Sequence, residues 1–288
     1  MKKIAIIGSS SSIGVRLYPY LKEKLSSKNQ IIGTFFRNSN ISDTEMLDIT
    51  NYHEVDNYIS KNKPSIIIWL SATKDVKKCE IDKEFAFQIN TKPIENLIEI
   101  IELKSSLTRV LYISSDYVFK GDKGFYKDSD QCNPNTVYGR SKCDSEKLLQ
   151  ASKLSYTILR TSAVMISGNG FLGWLVGQLK LEKQVNLFSN TFFSPTPVNL
   201  LNQAIAYIIK NPSFDRKILN FAGPRTSRYD FGLDLAQKMG LKTSLIIPEI
   251  ANYDTSTFQN DLSLIVSSEL EVILENYSQE LIKESTYV

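Results

Sequence analysis

The chain has 288 residues, of which 42% are hydrophobic and 23% are charged. This balance is typical of a globular protein with one large or two modest domains and argues against an intrinsically disordered chain. The formal net charge of +3 is too small to indicate binding to nucleic acid or to an anionic membrane. Three cysteines without a CxxC pair, together with a single histidine, argue against a disulfide framework and against a metal site. No apolar run approaches the roughly 20 residues that span a bilayer, so we expect a cytoplasmic protein.

Short apolar runs alternate with amphipathic stretches through residue 160. The apolar runs predict strands over residues 3–7, 31–36, 65–70, 109–114 and 156–160, and the stretches between them predict helices over residues 13–25, 53–61, 85–102 and 138–152. Continuous apolar runs such as residues 66–70 are typical of strands that are covered by helices on both faces of a parallel sheet. The alternation therefore predicts an α/β fold with a doubly wound, Rossmann-like parallel sheet.

Beyond residue 160 the alternation is less regular. The pattern there predicts helices over residues 171–181, 198–210 and 229–239 and one strand over residues 217–221. We therefore expect a smaller second domain that binds the substrate, made of residues 163–184 and 223–288. The dinucleotide-binding domain would then comprise residues 1–162 and part of residues 185–222.

A glycine-containing turn follows the first predicted strand and opens the first helix. Glycine there permits a positive φ and lets the backbone approach a pyrophosphate, whose charge the helix N-terminus stabilises. The spacing fits a G-x-x-G-x-x-G pattern except at its middle position, which is serine, and serine hydroxyls can also donate to phosphate. An ordinary strand–helix connection is the alternative. The residues expected to hold the cofactor in this turn are Gly8, Ser10, Ser11, Ser12, Ile13 and Gly14.

Arg37 follows the second predicted strand, where an NAD-binding site commonly places a carboxylate for the ribose 2′-hydroxyl. No carboxylate occupies that place here, and the arginine can pair with a 2′-phosphate. The sequence thus favours NADPH over NADH, although a solvated surface arginine would show the same pattern.

Tyr138 and Lys142 form a Y-x-x-x-K pattern in a predicted helix, where residues four apart share a face. A neighbouring cation favours the phenolate form and would suit Tyr138 to proton exchange with a carbonyl; a surface pair would look the same. Ser115 lies at the carboxyl end of a predicted strand, the edge where doubly wound sheets bind ligands. Its hydroxyl can hydrogen-bond a substrate carbonyl as charge develops on the oxygen.

Together these motifs resemble the extended short-chain dehydrogenase/reductases, and within them the dTDP-4-dehydrorhamnose reductase group. The resemblance also rests on residues 114–119 (S-S-D-Y-V-F), Pro134, and residues 159–162, 194–196, 221–224 and 229–231, and so covers nearly the whole chain. It implies that Ser115, Tyr138 and Lys142 form a catalytic triad. It also implies hydride transfer from NADPH to C4 of a nucleotide-linked 4-keto-6-deoxy sugar, with Tyr138 protonating the product.

The resemblance implies further binding residues. Those assigned to the cofactor are Asp48, Ile49, Leu70, Ser71, Ala72, Thr73, Asn90 and Arg160, besides Tyr138 and Lys142; Asn90 is expected to support the active site. Those assigned to the substrate are Asp116, Val118, Phe119 and Ala163. Leu70 replaces the usual asparagine of the group, and Ala163 replaces the aromatic residue that approaches the sugar. These two departures leave the identity of the sugar open.

Two other functions remain open from the sequence. One is a nucleotide-sugar epimerase or dehydratase of the same superfamily, which would retain tightly bound NAD. The other is a non-catalytic subunit like the regulator of a methionine adenosyltransferase, because a fold does not imply an activity. A homodimer is the default expectation for this protein, since dimers are the commonest oligomers.

Overall fold

The structure is a computed structural model that describes residues 1–38, 41–104, 107–252 and 259–286. The chain forms two compact units, and each comprises three segments of sequence. The first unit comprises Met1–Val118, Cys132–Leu159 and Ile205–Leu219, and the second comprises Phe119–Gln131, Arg160–Ala204 and Asn220–Val288.

The described residues contain strands and helices close to the predicted ones. The strands are β1 (Lys2–Ile7), β2 (Asn29–Phe35), β3 (Thr44–Met46), β4 (Ile66–Trp69), β5 (Arg109–Ser115), β6 (Ser155–Thr161), β7 (Val164–Met165), β8 (Val185–Phe188), β9 (Phe192–Phe193), β10 (Thr196–Pro197), β11 (Lys217–Phe221), β12 (Thr226–Ser227) and β13 (Ile246–Glu249). The helices are α1 (Gly14–Leu25), α2 (Tyr52–Asn62), α3 (Val76–Ile81), α4 (Lys83–Ala86), α5 (Lys92–Leu103), α6 (Val137–Ala151), α7 (Gly170–Lys180), α8 (Val198–Lys210), α9 (Arg228–Lys238) and α10 (Tyr277–Thr286).

Seven strands form one sheet in the order β11-β6-β5-β4-β1-β2-β3. The pairs β3–β2, β2–β1, β1–β4 and β4–β5 are parallel. The strand order reverses between β1 and β4, and crevices of this kind at the carboxyl ends of strands are where α/β sheets bind ligands. Ile7, Ile67, Trp69 and Val110 lie in one buried cluster with apolar residues of α2 and α5. The prediction of a Rossmann-like α/β fold is confirmed.

The helix predicted over residues 85–102 is interrupted in the structure. A π-helical turn, Phe87–Thr91, joins α4 to α5, and the N–H of Lys92 donates to the carbonyl of Phe87, five residues back. Pro93 lies in the first turn of α5. Proline has no N–H and its ring clashes with the carbonyl four residues earlier, which disfavours a regular α-helix at this point. The π turn lies directly before the first turn of α5, which contains the proline.

The second unit has its own apolar core, which includes Leu172, Leu175, Phe193, Phe231 and Leu235. Its short strands pair as β7–β10 and β8–β13, both parallel, and as β9–β12, antiparallel.

The segment Phe119–Gln131 belongs to the second unit, whereas the sequence placed it in the first domain. The reason is long-range pairing of its backbone. The N–H of Tyr126 donates to the carbonyl of Ser263 at 2.9 Å, and the Asn220 side chain donates to the carbonyl of Tyr126 at 2.9 Å. The roles of the two units in binding cofactor and substrate stay predictions. Within the residues that the structure describes, no helix is both long enough and apolar enough to cross a membrane.

Candidate active site

Ser115 is the last residue of β5 and precedes a short 3-10 turn, Asp116–Val118. Its hydroxyl donates to the carboxylate of Asp116 at 2.9 Å and accepts from the N–H of Tyr117 at 3.3 Å. The Tyr138 hydroxyl lies near the Ser115 hydroxyl, which lowers the pKa of the phenol. The two hydroxyl groups that the sequence singled out are therefore close together, although 23 positions separate them in the chain.

The first turn of α6 brings Tyr138 to this place. Thr136 caps the helix by accepting from the N–H of Gly139 at 3.0 Å. A Cβ on Gly139 would overlap the carbonyl oxygen of Tyr117 and would lie 2.9 Å from Cβ of Pro134. The helix can thus pack directly on the backbone that follows Ser115 only because residue 139 is glycine.

The Tyr138 ring packs edge-on against the Tyr117 ring, with 5.4 Å between the ring centroids. Burial raises the pKa of Tyr138 above the usual value for tyrosine, and the neighbouring Ser115 hydroxyl opposes this rise. The phenol is consequently protonated at neutral pH, as a proton donor must be. The sequence did not single out Tyr117, because an aromatic residue after a strand gives no sign of which ring it will contact.

Lys142 is only 3% exposed, and its ammonium faces β5. Nζ donates to the carbonyl of Ile113 at 2.8 Å and lies 4.1 Å from the centroid of the Tyr112 ring. Burial lowers the pKa of Lys142 to about 7, and the negative charge of Glu146 acts in the opposite direction. The main influences on the pKa of Tyr138 come instead from burial and Ser115. An effect of Lys142 on the phenolate form of Tyr138 stays a prediction.

Glu146 is a buried carboxylate beside these groups that the sequence analysis missed. It accepts from the Ser114 hydroxyl at 2.5 Å and from the Cys132 thiol at 3.3 Å. A signal for it was present in the helical spacing. Tyr138, Lys142 and Glu146 are four residues apart in turn, which places all three on one face of α6.

Asn90 lies in the π turn and connects two parts of the site. Its side-chain oxygen accepts from the N–H of Thr73 at 2.8 Å, and its side-chain nitrogen donates to the Ser141 hydroxyl at 2.9 Å. The Ser141 hydroxyl in turn donates to the carbonyl of Tyr138 at 2.7 Å. Asn90 therefore ties the loop after β4 to α6, which is the supporting position expected of it, and its burial does not favour direct contact with a cofactor.

The turn between β1 and α1 is held by hydrogen bonds of its own backbone and serines. The Gly8 N–H donates to the Thr34 hydroxyl at 3.1 Å, and the Gly14 N–H donates to the Ser11 hydroxyl at 3.1 Å. A Cβ on Gly14 would lie 2.6 Å from Cα of Ser9, so the turn closes on itself only with glycine there. Ser11 stands where the pattern has its middle glycine, and its hydroxyl binds the first N–H of α1.

The same turn fits the pyrophosphate of a dinucleotide. Within residues 1–38, 41–104, 107–252 and 259–286, the N–H groups of Ser12 and Ile13 at the start of α1 have no hydrogen-bond acceptor. Helix N-terminal N–H groups of this kind bind phosphate. The exposed Lys74 donates to the Ser12 hydroxyl at 3.3 Å and adds positive charge at the turn.

The remaining cofactor candidates follow β2, β3 and β4. Arg37 is exposed after β2, with its guanidinium carbon 5.6 Å from the centroid of the Phe36 ring. The Asp48 carboxylate accepts from the N–H of Thr50 at 2.9 Å, and Ile49 packs against the apolar core. Among the residues after β4, Leu70 and Thr73 are partly buried and Ala72 is exposed. Ser71 packs against Gly8, and a Cβ built on Gly8 would lie 2.6 Å from the Ser71 hydroxyl oxygen. Their contacts with a cofactor stay predictions.

Three predicted binding residues are buried. Phe119 is fully buried and stacks on Tyr126, with 4.1 Å between the ring centroids, and Val118 is also fully buried. Arg160 is 1% exposed, and its guanidinium donates to the carbonyl of Asp128 at 3.3 Å and to that of Asp130 at 3.2 Å. Contacts of Val118 and Phe119 with a substrate, and of Arg160 with a cofactor, stay predictions.

Two further substrate candidates differ in exposure. Asp116 is buried and accepts from the Ser115 hydroxyl, and its contact with a substrate stays a prediction. Ala163 is partly buried against the core of the second unit, and its carbonyl accepts from the N–H of Thr196 at 2.9 Å. Contact of Ala163 with the sugar stays a prediction.

Comparisons with known proteins agree with this geometry. The family model described as RmlD substrate binding domain matches residues 1–276. A dTDP-4-dehydrorhamnose reductase of Aggregatibacter actinomycetemcomitans is 29% identical over 240 residues, which cover 81% of this chain and 78% of that protein.

Two solved structures share the fold over nearly the full length. A hypothetical dTDP-4-dehydrorhamnose reductase from Sulfolobus tokodaii is 30% identical, with a TM-score of 0.81 over 96% of this chain and 95% of that one. A dTDP-4-dehydrorhamnose reductase from Bacillus anthracis in complex with NADP is 22% identical, with a TM-score of 0.84 over 100% of both chains. The match over residues 1–276 and the 30% identity with the Sulfolobus tokodaii protein lead to the same conclusion: the chain belongs to the dTDP-4-dehydrorhamnose reductase family of extended short-chain dehydrogenase/reductases.

Proposed function

We propose that the protein is an oxidoreductase that uses NADPH to reduce the 4-keto group of a nucleotide-linked 4-keto-6-deoxy sugar. The observation that carries this proposal is the proximity of the Ser115 and Tyr138 hydroxyls at the carboxyl end of β5. The names of the relatives support the substrate class, and the NADP in the Bacillus anthracis protein supports the cofactor. Two features fit such a cofactor: Arg37 after β2, and the N–H groups of Ser12 and Ile13 at the start of α1, which have no acceptor among the described residues.

NADPH supplies a hydride when it is bound, and the residues of the chain orient the carbonyl and provide the proton. The Ser115 hydroxyl turns from Asp116 to the substrate oxygen and stabilises the negative charge that develops there. Tyr138 donates its proton to that oxygen, which completes the alcohol. Because its pKa is raised, the phenol carries this proton throughout the neutral range.

Lys142 assists the reaction in two ways. Its ammonium is fixed on the carbonyl of Ile113 and can hydrogen-bond a ribose hydroxyl of the cofactor. The cation also stabilises the phenolate that Tyr138 becomes after donating its proton. The ammonium has this effect only while it is protonated, so the pKa of about 7 matters for activity.

The test is reduction of dTDP-4-dehydrorhamnose, followed by the loss of NADPH absorbance. Tyr138→Phe removes the proton donor and is expected to lower kcat by about 10²- to 10⁴-fold, the usual contribution of general acid catalysis. Tyr207→Phe is the matched control, since Tyr207 is exposed on α8 and contacts Phe214 only through its ring.

A wild-type protein that leaves NADPH unchanged with this substrate and with other nucleotide-linked 4-keto sugars would refute the proposal. Tightly bound NAD in the purified protein would instead favour a dehydratase or an epimerase.

A further inference from the structure

Glu146 is fully buried on α6, yet it carries a carboxylate. Ser114 of β5 donates to Oε1, and Cys132, five residues before α6, donates to Oε2. The carboxylate therefore joins three segments: the strand end next to Ser115, the segment that leads into α6, and α6 itself. No step of the proposed reaction uses Glu146.

Lys142 is one helical turn before Glu146, on the same face. Both side chains are buried, and burial of a charge is unfavourable unless an opposite charge or hydrogen bonds offset it. For the ammonium the offsets are the carbonyl of Ile113, the face of the Tyr112 ring and the charge of Glu146. Of these three, Glu146 alone carries a full negative charge.

We propose that Glu146 is a positioning residue that keeps the Lys142 ammonium charged and fixes α6 to the strand end that carries Ser115. This inference rests on the proposed function in one respect: the proposed reaction requires a protonated Lys142. An apolar residue at position 146 would pack as well, but the pKa of Lys142 would then fall below its value of about 7, and the buried lysine would lose its proton at a lower pH. The carboxylate extends the pH range in which the ammonium supports Tyr138.

Other titratable groups pack around this face of α6. Asp116 acts on Tyr138 and is hydrogen-bonded to Ser115. The Cys132 thiol is hydrogen-bonded to Glu146 and lies next to the Cys143 thiol, whose pKa is also affected by Asp144 and Lys147. Glu80 on α3 accepts from the N–H of Val137 at the start of α6. Further groups among the described residues are Cys79 on α3, Tyr112 on β5, Tyr117 in the 3-10 turn and Tyr138 on α6.

The direct test is the titration of Lys142 in the protein without cofactor. The protein is labelled with ¹³C-lysine, the Lys142 signal is assigned by its loss in Lys142→Arg, and its chemical shift is followed by NMR across the pH range. In Glu146→Gln, which keeps an acceptor for Ser114 but removes the charge, we expect the midpoint to fall by about one pH unit. The matched control is Asp144→Asn on the same helix, an exposed carboxylate 3.9 Å from Lys147, which should leave the midpoint unchanged.

An unchanged midpoint in Glu146→Gln would overturn the inference. If Glu146→Gln does not fold, Glu146→Asp takes its place, because the shorter side chain keeps the charge but withdraws it from Lys142. A smaller fall in the same direction is then expected, and no fall would again overturn the inference.

The pH profile of NADPH-dependent reduction separates this inference from the proposed function. The alkaline limb of kcat should move to lower pH in Glu146→Gln by the same amount as the NMR midpoint. A midpoint that falls without any movement of that limb would leave the role of Glu146 intact and would refute the assigned role of Lys142. Complete absence of reductase activity in the wild type would refute the proposed function but not the NMR result.

Discussion

At the scale of single residues, Arg37 is expected to set the preference between NADPH and NADH. It is exposed after β2 and is expected to pair with the 2′-phosphate that distinguishes NADPH from NADH. A charge-assisted hydrogen bond contributes about 1.5–3 kcal/mol, or roughly 10- to 100-fold in affinity. In Arg37→Ala we therefore expect the KM for NADPH to rise by about tenfold or more, with the KM for NADH unchanged.

Steady-state kinetics with both cofactors measure this effect. Lys28→Ala is the control, since it removes one positive charge at the opposite end of β2. Equal changes in the two KM values would show that Arg37 does not contact the 2′-phosphate.

Residue by residue, the sequence was informative where chemistry and spacing coincide. Ser115 and Tyr138 were expected at one place because a strand end and a spaced helical motif locate them, and the structure places their hydroxyls close together. The sequence did not indicate that Val118 and Phe119 are fully buried, because the chain leaves the strand at Ser115 and enters a 3-10 turn. The alternation of a strand no longer applies there, so the sequence does not indicate which side chains point inward.

At the scale of elements, α6 depends on a close approach that one extra carbon would prevent. In Gly139→Ala the new Cβ would overlap the carbonyl oxygen of Tyr117, so the first turn of α6 would move away from Ser115. A displacement of this size is expected to lower kcat by about 10- to 100-fold. The melting temperature should fall as well, because the contact is buried.

Gly177→Ala on α7 is the matched control. Among the described residues no atom lies within 4 Å of a Cβ built there, and alanine is the better helix former. This variant is expected to gain about 0.5–1 kcal/mol in stability and to keep its activity. Thermal unfolding and kcat measured on both variants test the pair, and a fully active Gly139→Ala would contradict the expected displacement.

Element boundaries followed the sequence closely for regular helices and failed at the π turn. The apolar spacing over residues 85–102 is helical, and that spacing alone does not reveal a wider turn. Pro93 was the available signal, because proline removes a backbone donor inside a predicted helix. Asn90 owes its place between Thr73 and Ser141 to this turn.

At the scale of the whole molecule, the buried Lys142 is expected to lower the stability of the fold. Its pKa is about 7 in the folded protein and 10.5 for an unperturbed lysine, so between these values the unfolded chain binds the proton more strongly. The penalty is therefore complete below pH 7 and is relieved as the pH rises toward 10.5. Lys142→Met removes it, and the melting temperature is expected to rise by roughly 5 °C at pH 6 while reductase activity is lost.

The difference from the wild type should shrink as the pH is raised from 7 to 10. Lys147→Met on the same helix is the control, because Lys147 is exposed and carries no such penalty. Thermal unfolding of the three proteins at several pH values provides the measurement. A destabilised Lys142→Met at pH 6 would mean that the bond to Ile113 outweighs the burial of the charge.

The sheet could be predicted from continuous apolar runs, but the division into units could not. The segment Phe119–Gln131 joins the second unit through backbone contacts with residues far along the chain, such as the bond from the Phe125 N–H to the Ser263 hydroxyl. Contacts of this range leave no mark on local periodicity. Local patterns therefore located the elements and missed the partners of this segment.

The Ser11 hydroxyl at the start of α1 affects how the glycine pattern of nucleotide-binding turns is interpreted. Of the two glycines in that turn, Gly8 alone has a positive φ, at 93°, and Ser11 occupies an ordinary backbone conformation. The middle glycine of the pattern is thus dispensable here as far as backbone shape is concerned, and its replacement contributes a hydroxyl that orders the turn. Ser11→Gly would remove that hydrogen bond and increase the conformational entropy of the unfolded chain. A closer match to the motif would therefore make the turn less ordered.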